Sequence, residues 1–189
     1  MGLDRLPPRS AQQCLPRGYA VQKRVHIIGR KNSGKTTLIT ELVQFFTRRG
    51  YRIGTIKHTH HQHELDTPGK DSHRHRIAGA AVVGIMARNM NAVFWPAGNL
   101  QEKEARYRQM EPMFGSCDLV LVEGDVQTAA PKLEVWRSAT GTVPLAAEDP
   151  GVLALITDDV APCSVRCIAR RDLEAVARFV AELCAVPWR

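Results

Sequence analysis

Eight consecutive residues, Gly29-Arg30-Lys31-Asn32-Ser33-Gly34-Lys35-Thr36, follow G-x-x-x-x-G-K-[ST] without a departure. Glycines at the two ends let a backbone fold tightly enough for successive N–H groups to face one anion. The helix that such a loop opens adds its positive dipole end. In that arrangement Lys35 spans the β- and γ-phosphates of a nucleotide and Thr36 offers its hydroxyl to Mg²⁺. Gly29, Asn32, Ser33, Gly34, Lys35 and Thr36 are therefore candidate phosphate contacts.

Such a loop needs an acid to hold the metal, standing at the end of a buried strand beside the first. Glu123 ends the apolar run Leu119-Val120-Leu121-Val122 and precedes Gly124. It is the expected second metal residue with Thr36, and with Lys35 the expected catalytic pair; a carboxylate that merely caps a loop is the alternative. Asp118 opens the same run and belongs at the far end of the sheet, in a structural role. Thr157-Asp158 follows another apolar run, where a carboxylate can accept the ring N–H and amino group of guanine; Asp158 is the candidate base reader, against the plainer reading of a turn residue.

Six of the seven histidines, His58, His60, His61, His63, His73 and His75, fall in one window of eighteen residues. A cluster of this kind can ligate a transition metal. The same window holds Lys57, Asp66, Lys70, Asp71 and Arg74 and no cysteine, which suits a charged loop facing phosphates better. The five cysteines are scattered and odd in number. That argues for reduced thiols rather than a disulfide framework or zinc site.

The elements that must position these groups alternate. Val25 to Ile28 reads as a buried strand ending at the glycine loop. Lys35 to Arg49 has Leu38, Ile39, Leu42, Val43 and Phe46 at helical spacing, with Gly50 as a stop. Tyr51 to Ile56 is a second strand, and Lys57 to Ser72, lacking a hydrophobic period, a long loop. A short helix at His73 to Ala80, strands near Ala81 to Met86 and Ala92 to Trp95, and an amphipathic helix near Gln101 to Phe114 follow. Further strands are expected at Leu119 to Glu123, Leu133 to Trp136, Val152 to Ile156 and Val165 to Ile168, then a last helix from Arg171 to Cys184. Strands and helices alternating throughout give an α/β P-loop NTPase domain, a mainly parallel sheet with helices on both faces.

The chain of 189 residues is long enough for one core. Residues 1–22, with three prolines, several arginines and no hydrophobic period, are expected to be a poorly ordered extension to a domain spanning 23–189. Neither a membrane span nor a signal peptide is visible, so a soluble, cytoplasmic protein is expected. A net charge of +7, spread along the chain without interleaved aromatics, favours a phosphate ligand over a nucleic acid.

Taken together, G-x-K-N-S-G-K-T-T, I-K-H-x-H-H, D-x-P-G-K-D-S with A-G-A after it, D-L-V-L-V-E-G and P-K-L-E-V resemble the molybdopterin-guanine dinucleotide biosynthesis protein B (MobB) family over roughly Arg24 to Thr157. The match is nearly continuous between Lys57 and Ala80. The resemblance implies a homodimeric GTP-binding protein with weak GTPase activity, assisting the guanylyltransferase that attaches GMP to molybdopterin. It also implies that Gly34, Lys35, Thr36 and Thr37 contact phosphate and magnesium, that Glu123 is the Walker B acid, and that Asp66 to Asp71 belong to the site. The sequence departs from the family after Glu123-Gly124, where Asp125-Val126 stands in place of the usual Phe-Lys.

No glutamine stands where it would align a water, and Arg30, Lys31 and Arg74 are the candidates for a cation supplied from a second subunit. Slow hydrolysis by a nucleotide-gated adaptor is therefore expected. Two alternatives remain at this stage: a metal-insertion GTPase using the histidine loop, and a P-loop small-molecule kinase, which would need an arginine-rich lid.

Overall fold

The computed structural model describes residues 24–59, 64–97 and 103–189. The expected N-terminal extension, and His60, His61 and His63, lie outside them. Among the described residues no helix is long and apolar enough to cross a membrane.

In chain order the elements are β1 (Arg24–Ile28), α1 (Lys35–Arg48), β2 (Ile53–Lys57), α2 (Asp71–Ile77), β3 (Val83–Met86), β4 (Asn91–Phe94), α3 (Lys103–Phe114), β5 (Leu119–Glu123), β6 (Lys132–Val135), β7 (Val152–Ile156), β8 (Cys167–Ile168) and α4 (Leu173–Leu183). Six strands form one parallel sheet in the order β2-β5-β1-β6-β7-β8, and β3 pairs antiparallel with β4 in a separate ribbon.

Sheet order decides where chemistry can occur. The chain leaves β1 through α1 to β2 and skips one position, which β5 fills later. The carboxyl ends of β5, β1 and β6 thus stand side by side, with the chain departing in both directions from β1. Such a switch point is where open α/β sheets bind ligands.

Both faces of the sheet are covered, as the runs of buried apolar residues in its strands require. Leu38, Ile39, Leu42 and Phe46 of α1 and Val176, Ala177 and Val180 of α4 pack on one face with Leu119, Leu121 and Leu133. Tyr107 and Phe114 of α3 pack on the other with Val120 and Val122. Gly54 of β2 allows this second contact, because a Cβ there would lie 2.4 Å from the Phe114 ring. The chain's end is tied back at the opposite rim of the sheet. Tyr51 donates its hydroxyl to the Pro187 carbonyl at 2.7 Å, and Asp118 accepts the Arg52 N–H at 2.8 Å, the structural role expected of it.

Three expectations about elements are corrected. The short helix begins at Asp71 and ends at Ile77, two to three residues early, because Gly79 at φ 101 ends the helical path. The strand expected from Val165 pairs only at Cys167–Ile168. Alternation also fails in the second half. No α-helix separates β5 from β6 or β6 from β7, where Gly124, Pro131, Gly141, Pro144 and Pro150 interrupt any helical run and two 3₁₀ turns serve instead.

Candidate functional site

The loop between β1 and α1 depends on its glycines. Gly29 has φ 141, and a Cβ there would meet the Val135 carbonyl oxygen of β6 at 2.4 Å. Asn32 at φ 63 and Gly34 at φ 101 complete the reversal. α1 then begins without a side-chain cap and with no acid in its first turn. The N–H groups that every helix leaves unpaired at its start therefore remain available to an anion. Inside the loop the Ser33 hydroxyl is buried and has no hydrogen-bond partner.

Lys35 arches over the loop and donates from Nζ to the carbonyls of Gly29 at 2.9 Å and Arg30 at 2.8 Å. Burial lowers its pKa; Glu123 nearby works against that shift and Lys57 adds to it. Three charges are thus gathered at one place. β2 and β5 set Lys57 opposite Glu123, and β1 pairs with β5 so that Ile27, two residues before the loop, faces the same Glu123.

The Thr36 hydroxyl donates to Oε1 of Glu123 at 2.9 Å. A hydroxyl and a carboxylate at hydrogen-bond separation, at the foot of a glycine loop beside an uncapped helix, form an oxygen donor set of the kind Mg²⁺ takes. The residues fit a magnesium-bound phosphate chain. Thr36 and Glu123 would hold the ion; Gly34, Lys35, Thr36 and Thr37 would hold the phosphates.

Asp66, Lys70 and Asp71 stand on a different piece of structure. Asp66 is buried, its Oδ1 accepts the Thr67 N–H at 2.8 Å and the Ser72 hydroxyl at 2.9 Å, and its Oδ2 is buried without a partner. Glu64 accepts the Asp66 N–H at 3.0 Å and binds Arg76 at 2.6 Å. Lys70 and Asp71 are exposed where α2 starts. These hydrogen bonds of Asp66 and Glu64 stay within this segment and α2. Asp158 follows β7, two strands from β1, and its carboxylate accepts the Arg171 N–H at 3.1 Å. Among the described residues no group of three or more His, Cys, Asp or Glu comes together to hold a metal.

On the α3 face a cleft of about 660 Å³ runs between the end of β2, β4 and α3, with Lys57, Trp95, Arg106 and Tyr107 among its walls. Tyr107 reaches from this cleft to the strand end that carries Glu123. Its hydroxyl donates to Oδ2 of Asp125 at 2.9 Å, with both side chains buried. Neither residue was a site candidate from the sequence. A tyrosine in an amphipathic helix reads as core, and an aspartate after Glu-Gly reads as a solvated turn.

Residues 24–158 match the family described as molybdopterin guanine dinucleotide synthesis protein B, MobB. A molybdopterin-guanine dinucleotide biosynthesis adapter protein of Escherichia coli is 33% identical over 151 residues, 79% of this chain and 86% of that one. One from Haemophilus influenzae is 37% identical over 134 residues, 70% and 72% of the two chains. In fold, the crystal structure of a MobB protein homolog from Bacillus stearothermophilus agrees with a TM-score of 0.62 at 22% identity, covering 88% of this chain and all of that one. The structure of Bacillus subtilis MobB agrees with a TM-score of 0.61 at 19% identity, over 85% and 97%. A parallel sheet with its glycine loop at the switch point, an acid one strand away and a family match across the whole of that unit lead to one conclusion: the chain belongs to the MobB family.

Proposed function

We propose that this protein is an adapter in molybdopterin guanine dinucleotide biosynthesis that binds GTP with Mg²⁺ at the loop Gly29 to Thr36. It would act beside the guanylyltransferase that attaches GMP to molybdopterin, in the cytoplasm. The observation that carries the nucleotide part is the Thr36–Glu123 hydrogen bond, at 2.9 Å, below an uncapped helix start. The relatives' names supply the pathway.

In this reading the N–H groups at the start of α1 cradle the phosphates, Lys35 leaves its carbonyl partners for the β- and γ-oxygens, and Thr36 and Glu123 orient the metal. Mg²⁺ held by Thr36 and Glu123 would supply charge neutralisation at the phosphates. Lys35 Nζ meets backbone carbonyls rather than a water-aligning side chain, so turnover would be slow. Asp158 would read guanine, and Asp66, Lys70 and Asp71 would meet the nucleotide only if their loop closes over it.

The protein is proposed to work as a homodimer. The β3–β4 ribbon leaves Met86 90% and Met90 70% exposed, and Val93 is exposed beside them. Apolar side chains on a two-stranded ribbon with open edges suit a second copy of the same ribbon.

Calorimetry of GTP and ATP with Mg²⁺ tests the nucleotide reading, on the unaltered protein and on Lys35→Ala. Magnesium-dependent binding that prefers GTP and weakens at least about tenfold in the variant is the expected result, since a charge-assisted contact is lost. Equal affinity for ATP, rapid turnover or no binding would overturn it.

A further inference from the structure

Two consecutive residues after Glu123 have left-handed backbones, Gly124 at φ 92 and Asp125 at φ 61. Glycine adopts this conformation freely. Aspartate adopts it at a cost, and the surrounding structure must hold it there. Since Glu123 is the last residue of β5, the course of the next two residues fixes the angle at which its carboxylate leaves the sheet.

The backbone of this turn is held at several points. His58 N–H donates to the Glu123 carbonyl at 2.9 Å, Gly124 N–H to Ile27 at 3.0 Å, and Thr128 N–H to the Asp125 carbonyl at 3.3 Å. Nδ1 of His26 lies 3.2 Å from the Gly124 carbonyl. The carboxylate of Asp125 takes the Tyr107 hydroxyl, a bond that comes from another element, α3.

The Tyr107 ring is itself clamped. The Arg24 guanidinium lies over it, 4.2 Å from its centre, and His26 meets it edge-on at 5.4 Å. Arg24 is in turn held by both oxygens of Glu104, one turn before Tyr107 on α3, with the first bond at 2.8 Å. The ring held in this way sets its hydroxyl on Asp125.

We propose that Tyr107 is a positioning residue for the magnesium site, acting through Asp125 to hold the turn that aims Glu123 at Thr36. This rests on the reading of Thr36 and Glu123 as the Mg²⁺ pair. It concerns how the ion is held, not whether a nucleotide binds.

The test uses the full chain and its variants Tyr107→Phe, Asp125→Gly and the double variant. Tyr107→Phe keeps the ring and its clamp. Asp125→Gly removes the carboxylate while relieving the left-handed strain, so both ends of the link are read in proteins that keep their packing. Mg²⁺ is titrated at a fixed concentration of a fluorescent GTP analogue, and analogue binding is measured again in EDTA.

Each single variant is expected to raise the Mg²⁺ concentration at half-saturation roughly five- to tenfold, the scale of a lost hydrogen bond to a charged group. Binding in EDTA should be unchanged. Tyr107→Phe should add nothing in the Asp125→Gly background, because the two act through one bond. A Mg²⁺ requirement within twofold of the unaltered protein in both single variants would overturn the proposal. So would an equal loss of binding in EDTA, or full additivity in the double variant. Failure of the nucleotide reading looks different: the unaltered protein would then show no magnesium dependence, and both proposals would fall together.

Discussion

His26 occupies the middle of β1 and is fully buried. A carbonyl can only accept, so Nδ1 must carry the proton that meets Gly124. Nε2 must then accept from Arg24, whose Nε lies 3.1 Å away. The ring is therefore held neutral in one tautomer, and burial lowers its pKa from 6.5 to about 4, with the backbone bond to Gly124 opposing the shift and Arg24 adding to it. Between those values the unfolded chain binds more protons than the native one, so stability rises with pH across that window. The contribution is complete above about pH 6.5 and is lost as the pH approaches 4; a shift of this size is worth about 3 kcal/mol. Urea unfolding at pH 7 and pH 4.5 should show a larger acid loss for the unaltered protein than for His26→Asn. Equal losses would mean that His26 does not carry this sensitivity. In the sequence this histidine lay inside a β-branched run and outside the cluster that drew attention, and only the sheet's neighbours make it part of a polar network.

At the scale of elements, legibility followed periodicity. α1 was readable almost to the residue, since its apolar residues recur at helical spacing and Gly50, at φ 78, stops it. β1, β5 and β7 were readable as short apolar runs. The packing of one element on another was not, and the contact between β2 and α3 illustrates why. Gly54 sits in a strand pattern with no turn signal, yet a side chain there would strike the Phe114 ring at 2.4 Å and lie 3.3 Å from the Cys117 sulfur. Gly54→Ala is expected to destabilise the fold by about 1–3 kcal/mol through overpacking, measured by chemical denaturation. Tyr107 on the same helix should then shift as well, so the magnesium requirement of this variant should also rise. An unchanged midpoint would show that Phe114 moves aside freely.

For the whole molecule, the sheet order turns a list of motifs into one site. The loop, Glu123 and Lys57 come from segments up to ninety-odd residues apart, and β5 inserted between β2 and β1 brings them together. The β3–β4 ribbon stands apart from that sheet, and its exposed methionines are the basis of the proposed homodimer. Met86→Asp would place a charge on that surface. Sedimentation equilibrium should find a dimer for the unaltered protein and a monomer for the variant, with the same thermal midpoint for the monomeric fold. A monomer in both cases would remove the homodimer from the proposed function.

The sequence by itself determined the glycine loop, the acid at the end of β5, the α/β class and the family, because each rests on local pattern: glycines where the backbone must reverse, hydrophobic period, and residues a few positions apart. Only the tertiary structure decided which strand lies beside which, that Lys57 faces Glu123, that Asp66 and Asp158 spend their hydrogen bonds on neighbouring backbone or hydroxyl groups, and that Tyr107 meets Asp125. Apart from the bonds of Asp66, which stay within six residues, those are contacts between segments separated along the chain. Their partners are chosen by packing and by the need of every buried polar group for a hydrogen bond, which no short stretch of sequence encodes.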